Sequence, residues 1–533
     1  MPTSVTSTSI DAIGSSGNIT KRKPIVLDRR PSSSNADQTP QSSSPSPPSS
    51  SPVEKEQEQP KFNHIYPIHS ASKGSILSRE STTPAPSFVG LKNLAMIVLV
   101  VSNLRLMIEN YAKYGVLLSY LHLGVSKSDL IWTLRLTALI PLHLFVALVI
   151  ERLVAIPTMK YVAYFNAKQK EVSDKGSSIS LSSRANIANS LALLRPKPKH
   201  LWRLIVFLHS VNVLGCLWFT TVMVYTKIDN PMMGTACETH AIIVCLKVAS
   251  FSLTNRDLRE SLLLASPAVP ELYSSKQYPK NLSVGNLSYF WWAPTLVYQP
   301  VYPRSPSFRP LFFIKRIIEV ISCTLLILFL SAQYAVPTLE NSLQHIHNLE
   351  LFGILERLFK LASISMAIWL IGFFCVFQSG LNALAEVMRF GDREFYDDWW
   401  NSRSVGEYWR LWNKPVTNYF RRHIYVPLVR RGWKPTTASV MVFFVSAVLH
   451  EILVGVPTHN IIGVAFVLML LQIPLVMFTV PLEKINRPWA GTLGNCVFWL
   501  SFFIGQPSAV LIYYFSWSVD HGRTVGDEKF ALD

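Results

Sequence analysis

The chain has 533 residues, of which 49% are hydrophobic and only 16% charged, and its formal net charge is +17. Soluble proteins usually carry about a quarter charged residues, whereas several apolar runs here reach the roughly 20 residues that a helix needs to cross a bilayer. An ordinary soluble domain is therefore excluded, and because the cations cluster in loops between apolar runs, the charge indicates cytoplasmic loops of a membrane protein rather than nucleic-acid binding.

The first 87 residues are predicted to form a disordered cytosolic tail. The stretch QTPQSSSPSPPSSSP (Gln38–Pro52) holds too little apolar surface to offset the entropy lost on ordering. Residues 88–517 form the predicted membrane-embedded domain, and residues 518–533 a short lumenal tail. No apolar core follows Met1, so we expect the first spanning helix, rather than a cleaved signal peptide, to direct insertion.

The apolar runs after the tail predict an all-α, polytopic membrane protein with about nine spans. These cover residues 92–110, 129–151, 201–226, 238–253, 312–337, 353–387, 437–456, 461–482 and 492–516. Loops 158–200 and 421–434 are rich in Lys and Arg, and the positive-inside rule places both on the cytosolic side. The N-terminus is then cytosolic and the C-terminus lumenal. The sequons at Asn281 and Asn286 fall on the cytosolic side, where we expect no glycosylation.

Two ionisable residues, His450 and Glu451, stand inside the seventh predicted span. Such residues are costly in a bilayer and usually face a cavity or a partner. Consecutive helix residues point about 100° apart, so the two cannot serve the same face, whereas Ser446 lies on the side of His450. Histidine is the usual general base near neutral pH. The alternative is a structural histidine bonded to a neighbouring helix.

Three further polar residues in the last two spans either join helices or line a polar chamber with His450: Gln472, Asn495 and Gln506. The chain has no GxSxG, HExxH or HxxxxD motif, and its six cysteines show no CxxC spacing. A base without an evident protein nucleophile predicts direct transfer, in which the base deprotonates an acceptor alcohol that attacks an activated donor. We expect no metal and no cofactor.

Two aromatic segments lie outside the spans, Tyr278–Pro306 and FYDDWWNS (Phe395–Ser402). Aromatic residues concentrate at membrane interfaces, so both segments can be interfacial anchors. The second also lies between the sixth span and the basic segment before His450, which suits a donor site. We expect Asp397 and Asp398 to bond the local backbone or basic neighbours rather than to act as acids.

Several of these motifs together resemble those of the membrane-bound O-acyltransferases. They are FGDREFYDDWWNS (Phe390–Ser402), APTLVYQPVYPRSP (Ala293–Pro306), the HE pair of the seventh span and IGQP (Ile504–Pro507). Within that superfamily the chain looks most like the type-1 diacylglycerol acyltransferases, with sterol acyltransferases as the nearest relatives. The resemblance covers residues 90–517. It implies an endoplasmic-reticulum enzyme, a homodimer or homotetramer, that transfers a fatty acyl group from acyl-CoA to 1,2-diacylglycerol within the lipid bilayer.

Matching motif to motif, the resemblance implies His450 as the catalytic base and Asn413, in LWNKP, as its partner. It also associates a set of residues with the chamber and its tunnels: Trp399, Trp412, Ser446, Glu451, Gln472 and Gln506. Candidates for contacts to CoA lie just before the seventh span: Tyr425, Arg430, Arg431 and Lys434. A topology-setting basic cluster explains the three cations equally well.

Other functions remain open at this point. The acceptor could be a sterol, a wax alcohol or retinol instead of diacylglycerol. The chain could also be a transporter with His450 and Glu451 as a proton relay, although no internal repeat is evident. A catalytically inactive lipid-binding relative is a third reading, against which the presence of His450 and Asn413 argues.

Overall fold

The structure is a computed structural model that describes residues 89–117, 125–175, 199–263, 271–485 and 487–520. The predicted tail at residues 1–87 lies outside the described residues, as do residues 176–198 of the basic loop and residues 521–533 of the predicted lumenal tail. Within the described ranges the regular elements are helices, with one isolated β-bridge between Arg304 and Phe390. The prediction of an all-α fold is confirmed.

Eighteen α-helices occur in the described part of the chain. They are α1 (Val89–Tyr114), α2 (Lys127–Leu139), α3 (Leu142–Lys175), α4 (Lys199–Lys227), α5 (Pro231–Leu263), α6 (Val284–Trp292), α7 (Pro310–Leu330), α8 (Val336–Glu340), α9 (Leu343–His347), α10 (Leu351–Phe373), α11 (Leu381–Val387), α12 (Val405–Leu411), α13 (Lys414–Phe420), α14 (Val426–Arg430), α15 (Pro435–Gly455), α16 (Val464–Leu470), α17 (Gln472–Lys484) and α18 (Pro488–Asp520). Three π-turns join helices end to end: Ser331–Ala335, Phe374–Gly380 and Arg421–Tyr425.

Seven helical segments of the described chain are long and apolar enough to cross a membrane. They are Lys127–Tyr164, Trp202–Lys227, Pro231–Leu263, Leu351–Val387, Pro435–Gly455, Val464–Lys484 and Trp489–Val519. These seven match seven of the predicted spans. The first and fifth predicted spans fall on α1 and α7, which are helical but not in this set, so the count of nine is not confirmed. Helix α7 holds an ion pair near its start, Arg316 to Glu319 at 2.7 Å.

The fourth predicted span, residues 238–253, is too short, because α5 runs over 33 residues. Two of its charged side chains, Lys247 and Arg259, are buried and have partners. The Lys247 ammonium donates to three backbone oxygens between Phe290 and Ala293, each at 2.8 Å. Arg259 is 1% exposed and pairs with Glu151 of α3 at 2.5 Å. These charges lower the apparent hydropathy without ending the helix.

Two other predicted spans are interrupted. The sixth, residues 353–387, is α10 joined to α11 through the Phe374–Gly380 π-turn. The eighth, residues 461–482, divides into α16 and α17 at Leu471. Such breaks re-aim the side chains that follow them, and both lie in elements that carry or adjoin the site described below.

The aromatic segment Tyr278–Pro306 is a core element more than a surface anchor. Phe290 and Tyr298 are fully buried, and both rings pack near Phe251 of α5, with Tyr298 4.8 Å from Phe251 and 5.1 Å from Phe290. Trp292 is 54% exposed, so the interfacial reading fits that residue. The segment therefore fixes loop structure against the α3–α5 side of the molecule.

Helix α1 is tied to the helical body through Gln333 of the first π-turn. The Gln333 amide donates to Asn110 Oδ1 and to the Gly115 carbonyl at 2.8 Å, and its Oε1 accepts from the Leu117 N–H at 2.9 Å. Gln333 is 3% exposed, so these bonds are shielded from water.

Candidate active site

A cavity of about 980 Å³ lies among α10, α12 and α15–α18. Its walls carry nine large aromatic side chains: Trp369, Tyr408, Trp409, Trp412, Phe498, Phe502, Tyr513, Tyr514 and Trp517. Its polar groups include His450, Gln472, Ser501, Gln506 and Tyr513. An apolar space of this size with few polar groups is the usual form of a lipid or cofactor site. Four predicted residues line it together: Trp412, His450, Gln472 and Gln506.

The ring of His450 is oriented by its own helix. Nδ1 lies 2.7 Å from the Ser446 carbonyl oxygen and 3.4 Å from Ser446 Oγ. A carbonyl oxygen can only accept, so in the neutral ring Nδ1 carries the proton and Nε2 is the basic nitrogen. The predicted proximity of Ser446 and His450 is thus present, and Ser446 acts on the ring rather than on the cavity itself.

Glu451 faces away from His450, as the helical period predicts, and binds the start of α16. Its Oε1 accepts from the Gly463 N–H at 2.8 Å, and its Oε2 accepts from the Phe466 N–H at 3.1 Å and the Tyr513 hydroxyl at 2.9 Å. Carboxylates are favoured at helix N-termini, where backbone N–H groups lack partners. Glu451 is not among the residues that line the cavity; it anchors Tyr513, which is.

The two glutamines differ in how far their hydrogen bonds are satisfied. Gln472 Oε1 accepts from Trp409 Nε1 at 3.4 Å, and its Nε2 donates to the Leu468 carbonyl at 3.3 Å. Gln506 Oε1 is buried and has no partner within the described chain. A buried polar atom without a partner is unfavourable, so Gln506 is the group in this cavity best placed to bond a ligand. Asn495 lies elsewhere and donates to the Trp400 and Ser402 carbonyls at 3.1 and 2.8 Å.

Trp399 supports the cavity wall from behind instead of lining it. It is 2% exposed, and its ring meets Trp369 edge-on with centroids 5.2 Å apart. The Ser402 hydroxyl donates to the Trp399 carbonyl at 2.7 Å, which closes a short 3₁₀ turn. The structure gives Trp399 a packing role at the cavity, and its predicted contact with substrate stays a prediction.

The two carboxylates of FYDDWWNS bond local groups. Asp397 Oδ2 accepts from the Lys414 ammonium at 3.0 Å, and this cation holds the pKa of the Asp397 carboxyl below its usual range. Lys414 also bonds Glu394. Asp398 Oδ2 accepts from Asn401 Nδ2 at 3.3 Å. The two carboxylates thus bond Asn401 of the same segment and Lys414, the first residue of α13. This agrees with a structural role, as expected, rather than with a role as catalytic acids.

Asn413 is the N-cap residue of α13 and directly follows the cavity-lining Trp412. Its Oδ1 accepts from the Val416 N–H at 3.2 Å, which is an N-cap interaction. No described residue accepts a hydrogen bond from its Nδ2, so this donor is available to a ligand. Asn413 itself is not among the cavity-lining residues, and its catalytic role stays a prediction.

The candidate CoA contacts lie on a separate surface. Arg430, Arg431 and Lys434 are exposed where α14 leads into α15, and Tyr425 is half-buried in the third π-turn. None of the four lines the large cavity. Their exposure is compatible with phosphate binding and equally with a topology-setting cluster.

Sequence reasoning missed most of the aromatic wall. Trp369, Tyr408, Phe498 and Phe502 come from three helices and meet through contacts such as Trp369–Phe502, with centroids 4.5 Å apart, and Tyr408–Phe498 at 4.7 Å. Each is an ordinary apolar residue of a helix, so only its long-range partners identify it. In the described ranges no group of three or more His, Cys, Asp or Glu side chains could hold a metal ion.

Comparisons with known proteins identify the family of this chain. The profile of the membrane-bound O-acyltransferase family matches residues 200–516. Diacylglycerol O-acyltransferase 1C of Glycine max is 36% identical over 462 residues, which cover 85% of this chain and 80% of the relative. Diacylglycerol O-acyltransferase 1 of Arabidopsis thaliana is 34% identical over 457 residues (85% and 78%), and the Dictyostelium discoideum protein of that name 32% over 443 residues (83% and 64%). The chain therefore belongs to the membrane-bound O-acyltransferase family, in the group of type-1 diacylglycerol O-acyltransferases.

Proposed function

We propose that this protein transfers a fatty acyl group from acyl-CoA to the free hydroxyl of 1,2-diacylglycerol, forming triacylglycerol and CoA. The observation that carries the proposal is the placement of His450 on the wall of a 980 Å³ apolar cavity, which Gln506, with its unpartnered side-chain oxygen, also lines. The names of the relatives supply the acceptor, diacylglycerol, and the acyl-CoA donor is what the family resemblance implies. An apolar cavity suits an acyl chain and a lipid acceptor, and the polar groups suit the ester-forming end.

His450 is the proposed general base. Its Nε2 takes the proton of the acceptor hydroxyl while Nδ1 remains bonded to the Ser446 carbonyl. The acceptor oxygen attacks the thioester carbonyl, the new C–O bond forms, and the C–S bond breaks. The CoA thiolate leaves and recovers the proton from His450. No protein nucleophile and no cofactor takes part, and acyl-CoA is a co-substrate.

The Asn413 side chain is proposed to stabilise the charge that develops on the carbonyl oxygen. The free Nδ2 of Asn413 is a hydrogen-bond donor next to the cavity-lining Trp412. Donors aimed at a developing oxyanion are typically the largest single source of stabilisation in acyl transfer. The Gln506 carboxamide is proposed to orient the acceptor hydroxyl or the thioester.

The donor is proposed to enter from the cytosolic side, with Arg430, Arg431 and Lys434 near its phosphates. This assignment rests on a cytosolic N-terminus and on an endoplasmic-reticulum membrane, both of which follow from the resemblance and the charge distribution. A homodimer or homotetramer is proposed on the same basis.

The test is acyl transfer by the purified protein with labelled acyl-CoA and either diacylglycerol or a sterol as acceptor. Replacing His450 with Ala should lower triacylglycerol formation by at least about a hundredfold, because a general base typically contributes 10²–10⁴-fold. His347→Ala, an exposed histidine of α9, is the matched control and should retain activity. Wild-type turnover by His450→Ala would sink the proposed base. Steryl ester as the main product would favour the sterol alternative, and solute flux without acyl transfer a transporter.

A further inference from the structure

A second cavity, of about 360 Å³, lies among α3, α4 and α5. None of the residues that line it also lines the cavity of His450. It contains charged residues inside spanning helices that the proposed chemistry does not use, notably Glu151, His209 and Arg259. Ionisable residues within spans are expensive and commonly mark a functional site.

The acceptor groups of this second cavity are already satisfied. Glu151 Oε2 accepts from Arg259 Nη1 at 2.5 Å, and Glu151 Oε1 lies 3.0 Å from His209 Nε2. The other ring nitrogen, His209 Nδ1, lies 2.8 Å from Ser252 Oγ. Glu151 is fully buried, and each of its oxygens has a partner. No buried side-chain acceptor that lines this cavity is left without a partner among the described residues.

The unsatisfied groups of this cavity are both donors. Arg259 Nε and Trp202 Nε1 are buried side-chain atoms without a partner in the described chain. The Arg259 side chain is 1% exposed, and its guanidinium lies over the Trp202 ring at 4.5 Å. Unpaired buried donors are unfavourable, so a ligand that offers acceptor oxygens would be stabilised at this point.

Most of the other lining residues of α4 are apolar and lie beside the lipid-facing surface of that helix. Ile205, Val206, Val213 and Leu214 line the cavity, and Val206 and Leu214 are 58% and 65% exposed. A hydrocarbon chain can therefore reach the donors from the bilayer without crossing polar surface. The volume lies at the small end of ligand sites and suits one chain with a compact head.

We propose that this cavity is a second lipid site, which binds a fatty acid with its carboxylate on Arg259 and Trp202 and its chain along α4. The lining cations Arg256 and Arg259 outnumber the single lining carboxylate, Glu151, which favours an anionic head. Arg256 also bonds Asp257 at 2.8 Å, but the Asp257 side chain is 67% exposed and faces solvent. The same oxygen chemistry is offered by the neutral head of a monoacylglycerol, and the experiment separates the two.

Helix α5 carries both cavities. Pro231 lines the cavity of His450, while Ser252 and Arg259, further along the same helix, line the second. The two sites are nevertheless chemically independent, so binding at the second is expected to persist in a His450→Ala variant. A negative result in the binding experiment therefore does not bear on the proposed acyl transfer, and the reverse also holds.

The experiment uses the purified full-length chain in phosphatidylcholine nanodiscs with a photoreactive diazirine fatty acid as the probe. Labelled peptides are mapped by mass spectrometry, and labelling is competed with oleate or with monooleoylglycerol. The test variant is Trp202→Phe, which keeps a six-membered aromatic ring and removes the pyrrole ring with its N–H. The matched control is Trp218→Phe on the same helix, where the side chain is 69% exposed and lies outside the cavity.

We expect labelling within α4 and α5, and competition by oleate at lower concentration than by monooleoylglycerol. Loss of one hydrogen bond should raise the half-competing oleate concentration about two- to tenfold in Trp202→Phe, with no change in Trp218→Phe. Equal competition in the two variants, or labelling confined to peptides of α10–α18, would overturn the site. Equal competition by oleate and monooleoylglycerol would overturn the anionic ligand.

Discussion

Adjacent residues of α15 serve separate parts of the molecule. His450 lines the cavity, and its ring is held by the Ser446 carbonyl. Glu451 points about 100° away, and its carboxylate accepts hydrogen bonds from Gly463, Phe466 and Tyr513. The HE pair is thus one base candidate and one anchor, and the two should respond differently to substitution.

Replacing Glu451 with Gln should lower stability, because the amide N–H₂ would face the N–H and O–H donors that the carboxylate now accepts from. Hydrogen bonds to a charged group contribute about 1.5–3 kcal/mol, and we expect a loss of free energy of unfolding of that order. Thermal unfolding of the purified protein measures it. The control is Glu356→Gln, which removes an exposed ion pair to Lys360 worth about 1 kcal/mol or less.

The same pair of variants tests whether Glu451 contacts substrate, as the resemblance implies. If it only anchors α16, its loss should lower stability without a specific rise in KM. A large rise in KM at unchanged thermal stability would instead place Glu451 in the substrate site.

At the level of residues, the sequence identifies site residues that are polar within an otherwise apolar span. His450, Gln472 and Gln506 are polar groups in apolar helices, and all three line the large cavity. Asn495 has the same signature but bonds the backbone near Trp400. Spacing along one helix cannot distinguish these outcomes, because they depend on which neighbouring element supplies the partner.

Helix α5 organises the aromatic segment through one buried cation. The Lys247 ammonium donates to the carbonyl oxygens of Phe290, Trp291 and Ala293 at the end of α6. The last carbonyls of a helix lack intrahelical partners, and cations are favoured there. Lys247 thereby fixes where the segment leaves α6 and enters its proline-rich turns.

Replacing Lys247 with Met should loosen the segment, because two buried carbonyls and one partly buried carbonyl lose their donor. Each unsatisfied buried group costs about 1–3 kcal/mol, so we expect a loss of at least about 2 kcal/mol in local stability. Hydrogen–deuterium exchange should rise in residues 284–306. Lys227→Met, an exposed lysine at the end of α4, should leave that exchange unchanged. Equal exchange in both variants would show that the bonds from Lys247 to these carbonyls are not needed to order the segment.

The third π-turn contains a histidine whose protonation should couple to stability. Ser250 Oγ accepts from the Tyr298 N–H and lies 2.8 Å from His423 Nε2, so its hydroxyl donates to a neutral ring. Burial, aided by Arg422 and Arg256 and opposed by Asp257, lowers the pKa of His423 to about 4.

The folded-state pKa of His423 lies below the usual value of about 6.5, so the unfolded chain binds the proton more tightly. The contribution of neutral His423 to the free energy of unfolding is therefore complete above about pH 6.5 and is lost as pH falls towards 4. Between pH 7 and 5 we expect wild type to lose on the order of 1–2 kcal/mol from this group. His423→Gln should show a flatter pH dependence of the unfolding temperature, and His347→Gln should follow wild type. Parallel curves for wild type and His423→Gln would contradict the assignment.

At the level of elements, seven spans were predictable because their apolar runs are continuous. The C-terminal end of α5 was not, because hydropathy falls at Arg256, Asp257 and Arg259, although the helix continues and Arg259 is buried with a partner. The π-turns were also missed, since a single extra residue in a helical turn leaves no mark in composition.

Across the whole molecule, the predicted orientation depends on a span count that the structure leaves at seven qualifying helices. Glycosylation of the two natural sequons cannot be used to test the orientation. Asn281 Nδ2 bonds Asn255 and Tyr298, and Asn286 Nδ2 bonds the Pro300 carbonyl, so neither amide is accessible to a glycan in the folded protein. An informative test needs exposed sites on the two predicted sides.

Glu350→Thr creates a sequon at Asn348, in the exposed turn between α9 and α10, which the predicted topology places in the lumen. Arg403→Ser creates one at Asn401, an exposed residue on the predicted cytosolic side. We expect a glycosidase-sensitive mobility shift for Glu350→Thr in cells and no shift for Arg403→Ser or wild type. The reverse pattern would invert the orientation, and with it the side from which acyl-CoA enters.

The π-turn Phe374–Gly380 makes the sixth span intolerant of a change in length. A π-turn holds one residue more than the α-helical period, so the helix beyond it is rotated by about 100° relative to an unbroken helix. That rotation points Glu386 at Arg309 and Arg393, to which it is bonded at 2.8 and 2.6 Å. Deleting a single residue within the turn would restore the regular helical period and rotate the Glu386 carboxylate away from Arg309 and Arg393. Deletions here should therefore be far more damaging than point substitutions. The length of this span is constrained by the helical rotation that orients Glu386 as much as by the thickness of the bilayer.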